Sequence, residues 1–389
     1  MKSFNKAFLI LILLSSCKKN NDYILNSFTV AKDTLIIRTE KQKGENLFPL
    51  GAVPIEFKKQ SDTFPYPIKY PNQIQNAQRF LLETDFQEKE HFYVDIIKGI
   101  KNRQEVFSVD ENNNKDLSDD KIRPIEIMKW DSTEPLIKCR YLISNGNEIV
   151  TDSSWIKIGL VNKRLFVGRS EHLLAKFNID NNNYEIGIIE YRNARSFTYG
   201  LDSEISLISQ NGKRIDSINK RDLRKLGEFI NLNGASYKFD SISNNGEYIS
   251  LVKEKHTESK IGTQVGMIAP AFKIVTTKGD TINSSNLFNK TTIIANSCGC
   301  GGDVESTNAF YEIQNNYKDI NVLHIDSNIK TNLDGLHIDM QNTFNQDFYK
   351  KYRMQYCSRM CYVIGDDKRI LDKFLITDWK NNLPELIKE

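Results

Sequence analysis

The chain lacks a dominant charge. Its 389 residues carry 53 Lys and Arg against 50 Asp and Glu, a net +3. That balance gives no electrostatic case for nucleic acid. It also lacks a long apolar run: the longest, Ala7 to Leu14, is too short to span a bilayer as a helix. A phosphate loop and a dinucleotide fingerprint are absent, since Gly299, Gly301 and Gly302 lie too close together for either. Five histidines show no Ser/His/Asp arrangement. Cysteine is scarce, with six in all, so where the cysteines fall carries information.

The first of them, Cys17, belongs to a targeting segment. Lys2 and Lys6 form a basic start, Ala7 to Leu14 an apolar stretch, and Leu14-Ser15-Ser16-Cys17 a cleavage site. This end resembles the signal of bacterial lipoproteins, with residues 1–16 removed and Cys17 acylated. The resemblance implies a lipid anchor in a membrane and residence in the cell envelope, facing the periplasm, where disulfides persist. Residues 17–30 (from Cys17-Lys18-Lys19) are polar and are expected to form a tether.

From 31 to 255 the text is strand-like. Runs such as TLIIRT, HFYVDII, IKCRYLI and YEIGIIEY alternate apolar and polar residues and are separated by Asn, Gly, Asp and Lys. The pattern predicts an all-β region of two β subdomains, with one short helix over 219–230 and a hairpin over Tyr237 to Leu251. Cys139 reads as a buried strand residue. Asp110, Asn112, Asn114 and Asp116 place oxygens at alternate positions, as calcium loops do. Lys115 stands where such a loop has glycine, and Lys121 where it has a bidentate acid. The calcium reading is therefore set beside a plain polar turn. A linker falls near 256–262.

The remaining cysteines form two close pairs, Cys298 with Cys300 and Cys357 with Cys361. Around them, Gly266, Ala269-Pro270, Phe272, Lys278-Gly279-Asp280, Leu287-Phe288, Lys290 and the apolar Ile293-Ile294-Ala295 resemble the TlpA-type thioredoxin-like domains, which are envelope thiol–disulfide oxidoreductases. The resemblance covers about a third of the chain. The expected class is thus α+β and multidomain: an N-terminal all-β region followed by a C-terminal thioredoxin-like α/β domain over 262–389.

In that family a C-x-x-C lies at a helix N-terminus, where the dipole and unpaired N–H groups favour a thiolate. Aligned from Lys290, Cys300 takes the attacking position, one residue short. Its usual partner position holds Asp303, which is expected to cap the helix. Arg359 stands where the family has a cis-proline, placed to offset the Asp303 charge and to favour a thiolate at Cys300. The resemblance implies convergence of Cys298, Cys300, Cys357 and Cys361.

Three readings follow. In the leading one, Cys300 attacks a disulfide and Cys298 resolves it, with Cys357 or Cys361 as alternates and no cofactor. The partners would be an envelope protein bearing thiols or disulfides and a membrane thiol reductase, with no nucleic acid. In the second, the four cysteines hold zinc or an iron–sulfur cluster. In the third, they form two structural disulfides in a non-catalytic binding module. His324 (INVLHID) and His337 (GLHIDM) read as satisfied strand residues.

Overall fold

The computed structural model describes residues 27–387, except 32, 45–46, 49–50, 86–89, 129–134, 191–196, 219–221, 256–259, 298–302, 327–334, 340–341 and 354–357. Cys17, Cys298, Cys300 and Cys357 lie outside the described residues.

The expected α+β class is overturned. The protein is mostly β-sheet, with 51% strand against 13% helix, distributed over several sheets. The reason lies in how much of the chain alternates. Ile137–Asn145 turns Cys139, Tyr141 and Ile143 inward, and Glu171–Ile179 does the same with Leu173, Ala175 and Phe177. Successive strands are joined by two-residue turns that need positive φ at both positions. Asn102-Arg103, Asn162-Lys163, Asp180-Asn181, Asn211-Gly212 and Asn233-Gly234 all supply it. The ladders close directly on either side, as in Lys101 opposite Gln104, Val161 opposite Arg164 and Ile179 opposite Asn182. The abundance of Asn thus has a conformational cause: its short polar side chain tolerates the left-handed region.

A ten-stranded sheet is assembled around Thr34–Lys43, which pairs with Glu171–Ile179 on one side and Tyr248–Glu254 on the other. A five-stranded and a four-stranded sheet share a second core through Leu82, Val94 and Ile96 on one and Ile137, Tyr141 and Ile156 on the other. Two local expectations are corrected. The tether is shorter than 17–30, because Ser27–Ala31 is a strand paired with Thr34–Lys43. The helix over 219–230 does not form in the described part. Arg224–Lys225 and Phe229–Leu232 are strands, separated by a turn at Gly227, whose φ is +87°. Burial of Phe229, and of Leu223 and Ile230 in sheet cores, outweighs the helical spacing. The Tyr237 to Leu251 hairpin forms, with its strands paired from Ser236–Glu254 to Ile242–Ile249.

The site-bearing sheet has the strand order Leu336–Asp339, Asn321–Asp326, Thr292–Asn296, Met360–Ile364 and Ile370–Leu375. The first three run parallel, and Met360–Ile364 is antiparallel to both of its neighbours, Thr292–Asn296 and Ile370–Leu375. Every residue of Thr292–Asn296 is buried, and its two faces enter different cores. Ile294 packs with Phe348 and Tyr352 of helix α3 (Gln346–Tyr352). Ile293 and Ala295 pack with Phe310 and Ile313 of α2 (Val304–Asn316) and with Trp379 and Leu383 of α4 (Trp379–Leu386). The single turn α1 (Ser284–Leu287) precedes this strand.

This sheet is joined to the ten-stranded one by a buried ion pair. Lys373 Nζ lies 3.2 Å from Glu228 Oε1, and both side chains are nearly inaccessible. Gln264 clamps the backbone of Phe229 from both sides, accepting from its N–H at 2.7 Å and donating to its carbonyl at 2.9 Å. Burial pushes the Glu228 carboxyl up, but Lys373, Lys225 and Arg224 together hold it below its ordinary value. Its contribution is therefore present above the unfolded-state carboxylate pKa and is lost as pH falls through the depressed folded value. Lys373→Met is expected to cost about 3–5 kcal/mol in denaturant melts at neutral pH, because it strands a buried carboxylate. The loss should shrink on acidification, and the double variant with Glu228→Leu should recover much of it.

Candidate functional site

The central strand Thr292–Asn296 ends in two polar residues that are held from several sides. Asn296 donates to the carbonyls of Met360 at 2.8 Å and Tyr352 at 3.3 Å. Its Oδ1 is buried without a hydrogen-bond partner in the structure. The Ser297 carbonyl accepts from Arg353 Nη2 at 2.8 Å, and the other arm of that guanidinium reaches the Ile325 carbonyl at 3.3 Å. The chain leaves the strand at this point for the cysteine loop, outside the described residues, and returns at Asp303.

Asp303 caps α2: its Oδ1 accepts from the N–H of Ser306 at 3.3 Å. Its side chain is 3% exposed, so a bare carboxylate there would be costly. Arg359 meets it, with Nη2 2.9 Å from Asp303 Oδ1 and Nη1 3.3 Å from Glu305 Oε2. Arg359 sits just before the strand Met360–Ile364, and its carbonyl accepts from Ile376 N–H, so the backbone beneath the guanidinium is fixed. The helix N-terminus therefore presents a paired carboxylate rather than a free negative charge, and its favourable field for an anion is preserved.

Beneath this point lie two histidines. His324 and His337 face each other across parallel neighbouring strands, in register, with their Nδ1 atoms 3.1 Å apart. His324 Nε2 is 2.6 Å from Ser297 Oγ. Its ring stacks on Phe310, with centroids 4.3 Å apart and planes at 11°. Burial, then His337 and Arg353, push the His324 pKa down to about 3, so the ring is neutral at physiological pH. Neither residue's partner is legible in the local pattern. The only sign was the repeated alternation in INVLHID and GLHIDM.

Cys361 is withdrawn from the site. It is a free thiol with no exposed surface, packed with Ala295, Phe374 and Trp379 on the α2/α4 side of the sheet. Burial, with Asp372 adding to it, pushes its thiol pKa well up. A side chain so placed is inert. A four-sulfur zinc or iron–sulfur site cannot include Cys361 as it is packed here, and a structural disulfide at this position is not formed. Cys139 is likewise a buried free thiol on its strand.

The Asp110 to Asp116 segment spends its oxygens internally. Asp110 Oδ1 accepts from Asn114 N–H at 3.0 Å, Asn112 Oδ1 also accepts from it at 3.0 Å, and Asn114 Oδ1 accepts from Asp116 N–H at 2.8 Å. Asp116 pairs with Lys69 at 2.7 Å. The ammonium of Lys115 turns inward, 3.0 Å from Asp95, 3.6 Å from Asp110 and 4.9 Å from the Tyr66 ring centre. Among the described residues, no group of three or more His, Cys, Asp or Glu is arranged to hold a metal ion. The loop is a polar turn built around an internal lysine.

No family model matches the chain, and no curated protein matches it. Solved structures similar to part of it include three from Bacteroides. One is the C-terminal domain of a protein named as a thiol–disulfide oxidoreductase from Bacteroides thetaiotaomicron: 22% identity, 32% of this chain, 99% of that one, TM-score 0.27. The second is the thioredoxin domain of a thiol–disulfide oxidoreductase from Bacteroides vulgatus: 14%, 32%, 98% and 0.28. The third is a thiol:disulfide interchange protein from a Bacteroides species: 13%, 33%, 91% and 0.27. These neighbours are thiol–disulfide oxidoreductases, and each likeness covers about a third of the chain; at these scores it fixes no activity.

In the native protein, Cys361 and Cys139 are expected to resist iodoacetamide and to react only after denaturation, read by mass spectrometry of each peptide. Rapid native alkylation of Cys361 would return it to the site.

Proposed function

We propose that the protein is a lipid-anchored thiol–disulfide oxidoreductase of the bacterial periplasm, working through Cys298 and Cys300. The observation that carries this reading is the pairing of the buried Asp303 carboxylate with Arg359 at the head of α2. Cys300 lies three residues before that cap in sequence. A carboxylate beside a nucleophilic sulfur raises its thiol pKa. An arginine on the same carboxylate removes that penalty and leaves the helix N-terminus to favour the thiolate.

In the exchange, the Cys300 thiolate attacks one sulfur of a partner disulfide. A mixed disulfide forms, and the partner's other sulfur leaves as a thiolate that takes up a proton. Cys298 then loses its proton and attacks Cys300. The Cys298–Cys300 bond forms and the partner's second thiol is released. Cys357 is the alternate resolving residue. The oxidised pair is reset by a membrane thiol reductase. Anchoring rests on Cys17 and the Leu14-Ser15-Ser16 stretch before it.

Cys300→Ser is expected to abolish reduction of insulin disulfides by the protein with dithiothreitol as electron donor. A wild-type protein with no such activity would sink the proposal. Arg359→Ala should retain activity at a rate lower by about tenfold, as expected for one charged hydrogen-bonded partner. Separately, Cys17→Ser should move the protein from the membrane pellet to the soluble fraction of an expressing bacterium; an unchanged distribution would refute lipid anchoring.

A further inference from the structure

We propose that the cleft between the loop Asp110 to Lys121 and the strand Ile137–Asn145 binds a small anionic sugar, a hydroxylated frame carrying a carboxylate or a phosphate, through Lys121, Lys138 and Arg140. The inference goes beyond the exchange reading and uses none of its residues.

The cleft has a volume of about 700 Å³, within the range of small-molecule sites. The loop supplies one wall, with Glu111, Asn112, Asp119, Asp120 and Lys121. Lys138 and Arg140 of one strand, with Thr151 and Ser153 of its neighbour Glu148–Val161, supply the other. Lys138 and Arg140 flank the buried Cys139, so strand alternation turns both outward on one face. Ser153 stands opposite Arg140 in the ladder. Lys138 stands opposite Trp155, with its ammonium 5.1 Å from the ring centre. The Arg140 N–H donates to the Glu111 carbonyl at 2.8 Å, which fixes the loop wall against the strand wall.

The acids and the cations of this lining are not equally free. Glu111 is held by Arg123 at 2.6 Å, and Asp152 by Lys41 at 2.6 Å. Asp119 accepts from the side-chain amides of Asn114 at 3.0 Å and Asn112 at 3.3 Å. Asp120 Oδ1 accepts from the Glu111 N–H at 3.1 Å, and its Oδ2 is shut away from solvent. Lys121, Lys138 and Arg140 are exposed, and among the described residues none of them is in an ion pair. The charge left for a ligand is therefore positive. Burial pushes the Asp120 carboxyl up to about 7; the Glu111 N–H opposes the rise, and the charges of Asp110, Asp119 and Glu111 add to it. Below that pH the cleft loses one more negative charge. A guanidinium fork between two ammonium groups matches a carboxylate or a phosphate. The hydroxyls of Thr151 and Ser153 can donate and accept, which suits the hydroxyl groups of a sugar.

The test uses the full-length protein and titration calorimetry with glucuronate, glucose 6-phosphate, inorganic phosphate and, as the uncharged control, glucose. The expected result is saturable binding of the two sugar anions, weakened by salt, with much weaker binding of phosphate and none of glucose. Lys138→Ala combined with Arg140→Ala should weaken glucuronate binding by about tenfold or more, the worth of a hydrogen bond to a charged group. Both side chains are exposed, so an unchanged melting temperature is expected alongside. Glucuronate keeps its own charge near neutral pH, and it should bind severalfold more tightly at pH 6 than at pH 8. Asp120→Asn retains the acceptor for the Glu111 N–H and should hold the low-pH affinity at pH 8. Binding of glucose or phosphate as tight as that of the sugar anions would overturn the proposal. So would an unchanged affinity in the double variant, or a wild-type affinity that does not vary between these pH values. None of these readouts involves disulfide reduction, so a protein inactive on insulin that binds glucuronate keeps the cleft and rejects the exchange reading.

Discussion

The site depends on the burial of one five-residue strand on both faces. Thr292–Asn296 has no solvent face, so each side must find an apolar partner. α3 covers one and α2 with α4 the other. With both faces filled, the strand's position is fixed to the packing tolerance of a core. Its end delivers Asn296 and Ser297 to a defined point. Asp303 at the head of α2 and Arg359 at the start of an adjacent strand are brought beside that point by the same packing. The polar arrangement there is a consequence of the apolar one.

Several buried charged groups among the described residues are met by an opposite charge. Asp303 is matched by Arg359, Glu228 by Lys373, and Asp95 by both Arg79 at 2.6 Å and Lys115. Each pair crosses between elements distant in sequence. Such pairs add little net stability against apolar replacements, but a partner lost leaves an uncompensated charge. They therefore specify which element meets which. Lys115 shows this most plainly: a loop whose oxygens alternate like those of a calcium site is closed by its own ammonium.

Of the two close cysteine pairs of the sequence, Cys361 is the member among the described residues, and it is buried in an apolar core. Strand alternation sends Cys361 into the same core as Ala295, which lies opposite it in the ladder. A thiol there is a small apolar side chain. Spacing along the chain gave no indication of which face of the sheet the sulfur would occupy. A period-two element reverses that face with a shift of one residue.

The sequence by itself determined most of the strands and their turns. Alternation set the strands, and Asn and Gly set the two-residue turns, because those choices depend on neighbours a few residues away. The capping role of Asp303 was legible for the same reason, as a side chain bonding three residues ahead. The overall class was not: counting motifs overstated the helical part, and the 219–230 stretch became strands once Leu223, Phe229 and Ile230 found sheet cores. Only the tertiary structure decided that His324 would meet His337 and Ser297, that Cys361 would leave the site, and that Glu228 would find Lys373. Those contacts join residues 13 to 145 positions apart. Their free energy comes from burial, which no local pattern encodes.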